Sequence, residues 1–353
     1  MKKIGIVGGG LLGRLAAFVL TESGYIVEVY EKTPENPGLS NLRAAAFTSA
    51  GLLSPISEKD SGGNVIFELG TKSLNLWSCL DRKIKRIIDE GLGLFLKGNL
   101  FVSSPAEVNY AARLFNKIGF KGPPLSKDEK NTIEPNLSEK LICWIVPDEG
   151  QIYPLRALNA LVVATNKLSE KSVWHFNTLV EDFGPGWIKT EKMFTNYDFV
   201  FDVRGVGATD VGIRGVRGEV VLLDPPSNFC LSHPIRFLHP RFKIYIVPHE
   251  NRRILVGSTE IESQDVSPIS LQSAVDLLTV AQYVFPELSE ARILSTDVNL
   301  RPASFNNQPF FQIKEKLVHV NGLFRHGWLI APALLLEVFS NLNIPLSDPA
   351  FTQ

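Results

Sequence analysis

The first 31 residues constrain the fold more than any other stretch of the chain. Lys3 to Val7 is a short apolar run with β-branched side chains, the pattern of a parallel strand covered on both faces. Gly8, Gly10 and Gly13 follow at once in the spacing G-x-G-x-x-G, and Leu12, Leu15, Ala16, Val19 and Leu20 then recur at helical spacing across Leu11 to Ser23. A second strand, Tyr25 to Tyr30, runs into Glu31, 18 residues beyond Gly13. Gly8 permits the tight turn, Gly10 lets backbone approach a pyrophosphate, and Gly13 lets helix and strand pack closely. The unpaired N–H groups and dipole of the helix N-terminus favour phosphate. Glu31 stands where an acid accepts hydrogen bonds from adenosine ribose hydroxyls, which argues against a 2′-phosphate. The unit reads as a cradle for the ADP half of a dinucleotide; alone it does not choose FAD over NAD.

The chain has 353 residues, enough for two domains sharing a cofactor between them. Thirty-six Lys plus Arg against 37 Asp plus Glu leave a formal charge of −1, so no bulk field favours nucleic acid or an anionic membrane. The expected partner is a small molecule. Cys79, Cys143 and Cys230 show no CxxC spacing, which fits reduced thiols in a cytoplasmic protein and offers neither a disulfide framework nor a metal site. The basic start and apolar run of the N-terminus resemble a secretory signal, but four glycines among positions 5 to 10 and Arg14 speak against one. The apolar stretch Trp328 to Leu336 is too short to span a bilayer.

Beyond Glu31 come a Pro/Asn/Gly loop, Thr33 to Leu39, and a small-residue segment, Ala44 to Pro55, that lets backbone pass close to a flat ring. A helix is predicted over 65–90, a strand over Asn99 to Ser103, a helix over Pro105 to Ile118 and a polar surface excursion over Gly122 to Lys140. Pro154 opens a helix to Leu168; a strand over Val173 to Leu179 and a hairpin about Gly184-Pro185-Gly186 follow. The buried strand Asp198 to Val203 leads into Arg204-Gly205-Val206-Gly207, a second glycine pair that reads either as backbone approaching the cofactor or as an ordinary strand-end turn. Residues 216–260 are strand-rich, Leu271 to Val284 is helical, and a closing strand, Lys316 to Asn321, precedes a helix predicted from Pro332.

The chain-long series GIVGGGLLGRLAA (5–17), AAAFTSAGLLSP (44–55), EGQIYP (149–154), FDVRGVGA (201–208), RGVRGE (214–219), YIVP with VGSTE (245–260), LRPA (300–303) and LFRHGWLIAPA (323–333) resembles the D-amino acid oxidase family of FAD proteins, most closely its bacterial glycine oxidases. The glycine triad is common to many flavoproteins, whereas the last four landmarks in this order are more specific to the family. The resemblance implies an α/β (α+β) fold: a Rossmann-like FAD domain assembled from 1–75, 145–213 and 298–353, and a mixed or antiparallel-sheet substrate domain from 76–144 and 214–297. It implies hydride transfer from a substrate Cα to the flavin, hydrolysis of the resulting imine, and reoxidation by O₂. No protein acid or base is required for this if the amine arrives neutral. The bottom-up reading agrees that the cofactor does the hard step and the protein orients the substrate.

By the same resemblance FAD contacts fall on Gly8, Gly10, Leu11, Leu12, Gly13, Glu31 and Lys32; on Ala46, Thr48, Ala50, Gly51 and Leu52; on Leu179 and Val180; on Gly205 and Gly207; and on Arg325, His326, Gly327, Trp328 and Leu329. Arg301 matches the family arginine that pairs with the substrate carboxylate, a natural bidentate partner for a planar guanidinium, and Tyr245 the tyrosine that helps hold it. Arg325 matches an arginine beside flavin and substrate. Glu260 stands where a well-known member has an apolar pocket residue, implying a more polar pocket, and Arg204 where many have a small one. The implied activity is oxidation of glycine and sarcosine to glyoxylate in support of thiamine thiazole synthesis, with tightly but non-covalently held FAD. The alternatives are a D-amino acid or N-methyl amino acid dehydrogenase using another acceptor, and an FAD-bound subunit without turnover. A homo-oligomer is left open.

Overall fold

The computed structural model describes residues 2–38 and 43–347. The end of the expected Thr33 to Leu39 loop, and the first and last residues of the expected FAD domain, lie outside them.

A six-stranded sheet carries the glycine turn, in the order Phe310–Lys314, Leu317–Asn321, Phe199–Asp202, Lys3–Val7, Ile26–Tyr30, Val173–His175. All neighbours are parallel except the antiparallel pair at the Phe310–Lys314 edge. Lys3–Val7 lies at its centre, with Val7 opposite Tyr30 on one side and Asp202 on the other, so the turn after Val7 opens between two parallel crossovers. Helices Leu11–Glu22, Pro55–Ile88, Pro154–Leu168 and Gly327–Asn341 bury one face, joining Ile6, Leu15, Trp77, Leu161 and Leu335 in a single core. A small antiparallel sheet, Val180–Gly184, Trp187–Thr190 and Phe194–Asn196, covers the other through Ile188 against Val7 and Val200.

The second large sheet has seven strands in the order Arg292–Ala303, Arg214–Asp224, Ile254–Gly257, Tyr245–Pro248, Ile235–Phe237, Asn99–Ser103, Ile142–Val146. It is antiparallel apart from one parallel pair, Ile235–Phe237 with Asn99–Ser103. Helix Leu271–Val284 packs on it through Leu277, Val280 and Val284. The chain therefore shows the parallel FAD-type sheet and the mixed substrate-type sheet expected of a D-amino acid oxidase-like fold. We propose the two-domain division given above, with three boundaries moved: the breaks expected before residues 145 and 298 fall inside strands Ile142–Val146 and Arg292–Ala303 of the second sheet, and the break expected after residue 75 falls inside helix Pro55–Ile88, whose Trp77, Leu80 and Ile84 belong to the first core.

Several local expectations change for identifiable reasons. The helix predicted from residue 65 begins at Pro55; Gly62 and Gly63 hide its first turns, and Gly63 kinks it at φ 70°. The excursion over Gly122 to Lys140 contains helix Lys127–Ile133, started by a reciprocal Ser126/Glu129 cap. The buried Lys130 ammonium donates to the carbonyls of Ser138, Glu139 and Leu141. The strand predicted to Leu179 ends at His175.

The helix predicted from Pro332 begins at Gly327 and holds Pro332 in its interior. Proline has no N–H, so the carbonyl four residues back, on Trp328, loses its helical partner. Trp77 Nε1 donates to that carbonyl at 2.7 Å, and the Trp77 side chain is fully buried. A residue on one helix thus repairs the backbone of another. Trp77→Phe is expected to lower the unfolding free energy by about 1–3 kcal/mol, the cost of a buried carbonyl left unpaired; a denaturant titration showing wild-type stability would mean that the carbonyl finds another donor.

Among the described residues no helix is long and apolar enough to cross a membrane, and no cluster of three or more His, Cys, Asp or Glu side chains is placed to hold a metal ion.

Candidate active site

A cavity of ≈ 1390 Å³, counting the space open at its mouth, begins at Gly8, Gly10, Leu11, Leu12 and Glu31 and reaches Tyr245, Ser258 and Arg301 on the second sheet. The glycines explain how backbone comes so close to it. Gly8 sits at φ +113°, where a Cβ would meet the Val203 carbonyl oxygen at 2.6 Å. A Cβ on Gly13 would lie 1.9 Å from the Gly8 carbonyl oxygen, so this residue packs beneath the cradle and does not line it. Glu31 Oε2 accepts from the Gly9 N–H at 2.7 Å, and Oε1 accepts from the Thr33 N–H and hydroxyl, both at 2.9 Å. The acid is thereby fixed at the rim with lone pairs to spare for ribose hydroxyls. Arg14 lies buried under the turn and donates to the carbonyls of Gly9, Leu158 and Glu35 at 2.8, 3.1 and 2.6 Å. Burial pushes its pKa down to about 10, which leaves it charged at neutral pH.

The small-residue segment forms the middle wall: Ala46, Thr48, Ala50, Gly51 and Leu52 line the cavity. It is tied to the second sheet by Asn299 Nδ2 donating to Thr48 Oγ1 at 3.0 Å and by Thr48 Oγ1 donating to Asp297 Oδ2 at 2.7 Å. Opposite it, Gly327, Trp328 and Leu329 open the helix ahead of its Ile330 to His326 backbone bond. Their N–H groups lack the intrahelical partner that later residues have, and with the helix dipole they favour an electron-rich edge of a ligand. A cradle that a Cβ would fill at one end and a helix N-terminus at the other fit FAD, with Gly8, Gly10, Leu11, Leu12 and Glu31 for the ADP half and Ala46 to Leu52 with Gly327 to Leu329 for the flavin.

Gly205, Arg325 and His326 also line the cavity, but Lys32, Leu179, Val180 and Gly207 do not. Leu179 is 66% exposed. Arg204 reaches the cavity wall while its guanidinium is held by Asp202 at 2.7 Å and Asp210 at 2.8 Å, over the Phe183 ring.

At the substrate end Arg301 faces the cavity from the edge strand of the second sheet. Its Nη1 donates to the Arg217 carbonyl at 3.1 Å, and Nη2 to Ser258 Oγ at 2.6 Å and the Thr259 carbonyl at 2.9 Å. These are neutral acceptors, and no described carboxylate lies within 4 Å of the guanidinium. Gly218 makes room for it, since a Cβ there would sit 2.4 Å from Nη2. Tyr245 lines the same end three strands away. Burial lowers the pKa of Arg301 from the usual guanidinium value.

Sequence reasoning missed Glu58, a buried cavity residue in the first turn of helix Pro55–Ile88. Arg325 Nε lies 3.2 Å from its Oε2 and His326 Nδ1 3.3 Å, while Arg236 Nη2 pairs with Oε1. Burial opposes its ionisation, but Arg236 and Arg325 outweigh burial and hold its pKa well below the usual carboxylate range. Arg236 Nη1 also donates to the carbonyl of the preceding residue, Ser57, at 2.5 Å. Glu149 accepts from the Ser57 N–H and hydroxyl at 2.9 and 2.7 Å, and burial pushes its carboxyl up to about 7. The available signal was an acid in a helical first turn, which complements the dipole; starting the helix at 65 removed it. Ser258 and Gly218 were missed because only their contact with Arg301 gives them meaning. Glu260, expected as a pocket residue, does not line the cavity and pairs through Oε2 with Arg325 Nη1 at 2.8 Å.

The two sheets and the cavity between them define a dinucleotide-binding protein of the flavoprotein class. Residues 3–335 match the model of the FAD dependent oxidoreductase family, DAO, and the chain belongs to that family. It is 30% identical over 351 residues to a Rhizobium etli protein described as a thiamine biosynthesis oxidoreductase, ThiO, with 98% of each chain covered. It is 22% identical over 351 residues to the glycine oxidase of Geobacillus kaustophilus, covering 93% of this chain and 89% of that one. The crystal structure of that glycine oxidase superposes with a TM-score of 0.81 at 23% identity, over 98% of this chain and 96% of the other, a likeness that bears on the fold.

Proposed function

We propose that this FAD-dependent oxidoreductase is an amino acid oxidase of the cytoplasm acting on glycine and sarcosine, releasing glyoxylate, the amine (ammonia from glycine, methylamine from sarcosine) and hydrogen peroxide, and that it serves thiamine thiazole synthesis. The observation that carries this reading is Arg301: a guanidinium facing the cavity that is hydrogen-bonded only to neutral acceptors. A desolvated cation with no described carboxylate in contact is costly, and a substrate carboxylate supplies a charge-assisted partner. Tyr245 adds a hydroxyl at the same end, and Ser258 holds Nη2 so that the guanidinium presents a fixed edge. Hydride acceptance is the chemistry that FAD supplies when bound. The chain's part is to hold the carboxylate, set the adjacent carbon over the ring and keep water out with Leu52, Phe324 and Leu329. No side chain need take a proton when the amine arrives neutral. The relationship to the Rhizobium etli protein supports the thiamine context. None of the three cysteines lines the cavity, in keeping with FAD held non-covalently.

Purified holoenzyme is expected to bleach anaerobically with glycine and with sarcosine, and to release peroxide in air without an added acceptor. Bleaching without peroxide would transfer the reading to a dehydrogenase; no bleaching with either substrate would end it.

A further inference from the structure

Arg325 is a second cation at the substrate end, and the chain itself occupies it. Its Nη1 meets Glu260 Oε2 at 2.8 Å, and its Nε faces Glu58 Oε2 at 3.2 Å. Arg236 also pairs with Glu58. Two guanidinium groups therefore face two carboxylates, and this half of the site is electrically balanced, whereas no described carboxylate lies within 4 Å of the neighbouring Arg301 guanidinium. The two carboxylates are held differently. Glu58 is buried and gripped from two sides, while the Glu260 side chain is 39% exposed and rests on Arg325 alone.

We infer that Glu260 is a specificity-determining residue: its carboxylate fills the place on Arg325 that a second acidic group of a substrate would take, so the site accepts amino acids with one carboxylate and turns away those with two. The inference rests on Arg301 as the site of the α-carboxylate. Discrimination of this kind works through a repulsive element. A dicarboxylic substrate anchored on Arg301 reaches Arg325, which lines the cavity, and finds that cation already paired with Glu260 from outside the lining; displacing Glu260 leaves its charge unpaired. Glycine and sarcosine carry no such group and are indifferent to the pairing.

The test uses holoenzyme, wild type and Glu260→Gln, with glycine and D-aspartate as substrates. Acetate and succinate serve as unreactive ligands, their binding read from the flavin absorbance. In Glu260→Gln the ratio of kcat/KM for D-aspartate to that for glycine is expected to rise at least tenfold, and the Kd of succinate relative to acetate to fall by a similar factor. Adding Arg325→Met to Glu260→Gln is expected to abolish both gains. Ratios unchanged in Glu260→Gln, or gains that survive without Arg325, overturn the inference. Failure of wild type to bind acetate overturns instead the assignment of Arg301, so the two readings fail separately.

Discussion

Arg301→Ala is expected to lower kcat/KM for glycine by about 30- to 5,000-fold while the protein remains yellow. The range follows from truncating one member of a hydrogen-bonded, desolvated charge pair, which costs about 2–5 kcal/mol. The loss belongs mainly in KM, because carboxylate contacts are made in the ground state and the transition state alike. Flavin content is expected to hold, since Arg301 stands at the far end of the cavity from the Gly8 and Glu31 cradle and donates only to Arg217, Ser258 and Thr259. Arg301→Lys keeps the charge but loses the planar fork, and only partial recovery is expected from it. Steady-state kinetics alongside the flavin-to-protein absorbance ratio checks both. An unchanged KM with bound flavin would remove Arg301 from the substrate site.

What could be read without coordinates was what local chemistry decides. The strand, glycine turn, helix and acid from Lys3 to Glu31 are a contiguous unit whose logic is complete within it, and helix Leu271–Val284 has the bounds its periodicity predicts. Helix Pro55–Ile88 was half hidden because Gly62 and Gly63 oppose helix locally, and packing of Trp77, Leu80 and Ile84 in the core overrides them. Pro332 looked like a first residue because proline is comfortable there; inside the helix it survives because Trp77 takes over the stranded carbonyl. Arg301 and Tyr245 could be singled out only through resemblance, since an arginine and a half-buried tyrosine on strands are ordinary in themselves. Glu260 could be marked from sequence only as a departure from the family pattern; its ion pair with Arg325 spans 65 residues of chain and has no local trace. Leu179 and Val180 show the limit of carrying positions over: the first points largely to solvent, and neither meets the cavity.

Glu58 is the extreme case, and its removal is expected to be the most damaging single change to stability at the site. Its partners Arg236 and Arg325 lie 178 and 267 residues away, so only the fold reveals that one carboxylate holds two guanidinium groups. Glu58→Ala leaves both cations in a poorly solvated site. Breaking a buried pair in this way costs about 3–5 kcal/mol. Glu58→Gln, which keeps the volume and loses the charge, is expected to recover only part of that. The pH dependence separates charge from packing. The carboxyl is depressed in the folded state, so its stabilisation is fully present above the ordinary unfolded carboxylate pKa and is lost as pH falls through the folded value. Unfolding titrations from pH 7 down into the acid range should therefore show wild type and Glu58→Gln converging as the solution becomes more acidic. A constant gap across that range would mean that Glu58 acts by shape alone, and that Arg236 and Arg325 find their counter-charge elsewhere.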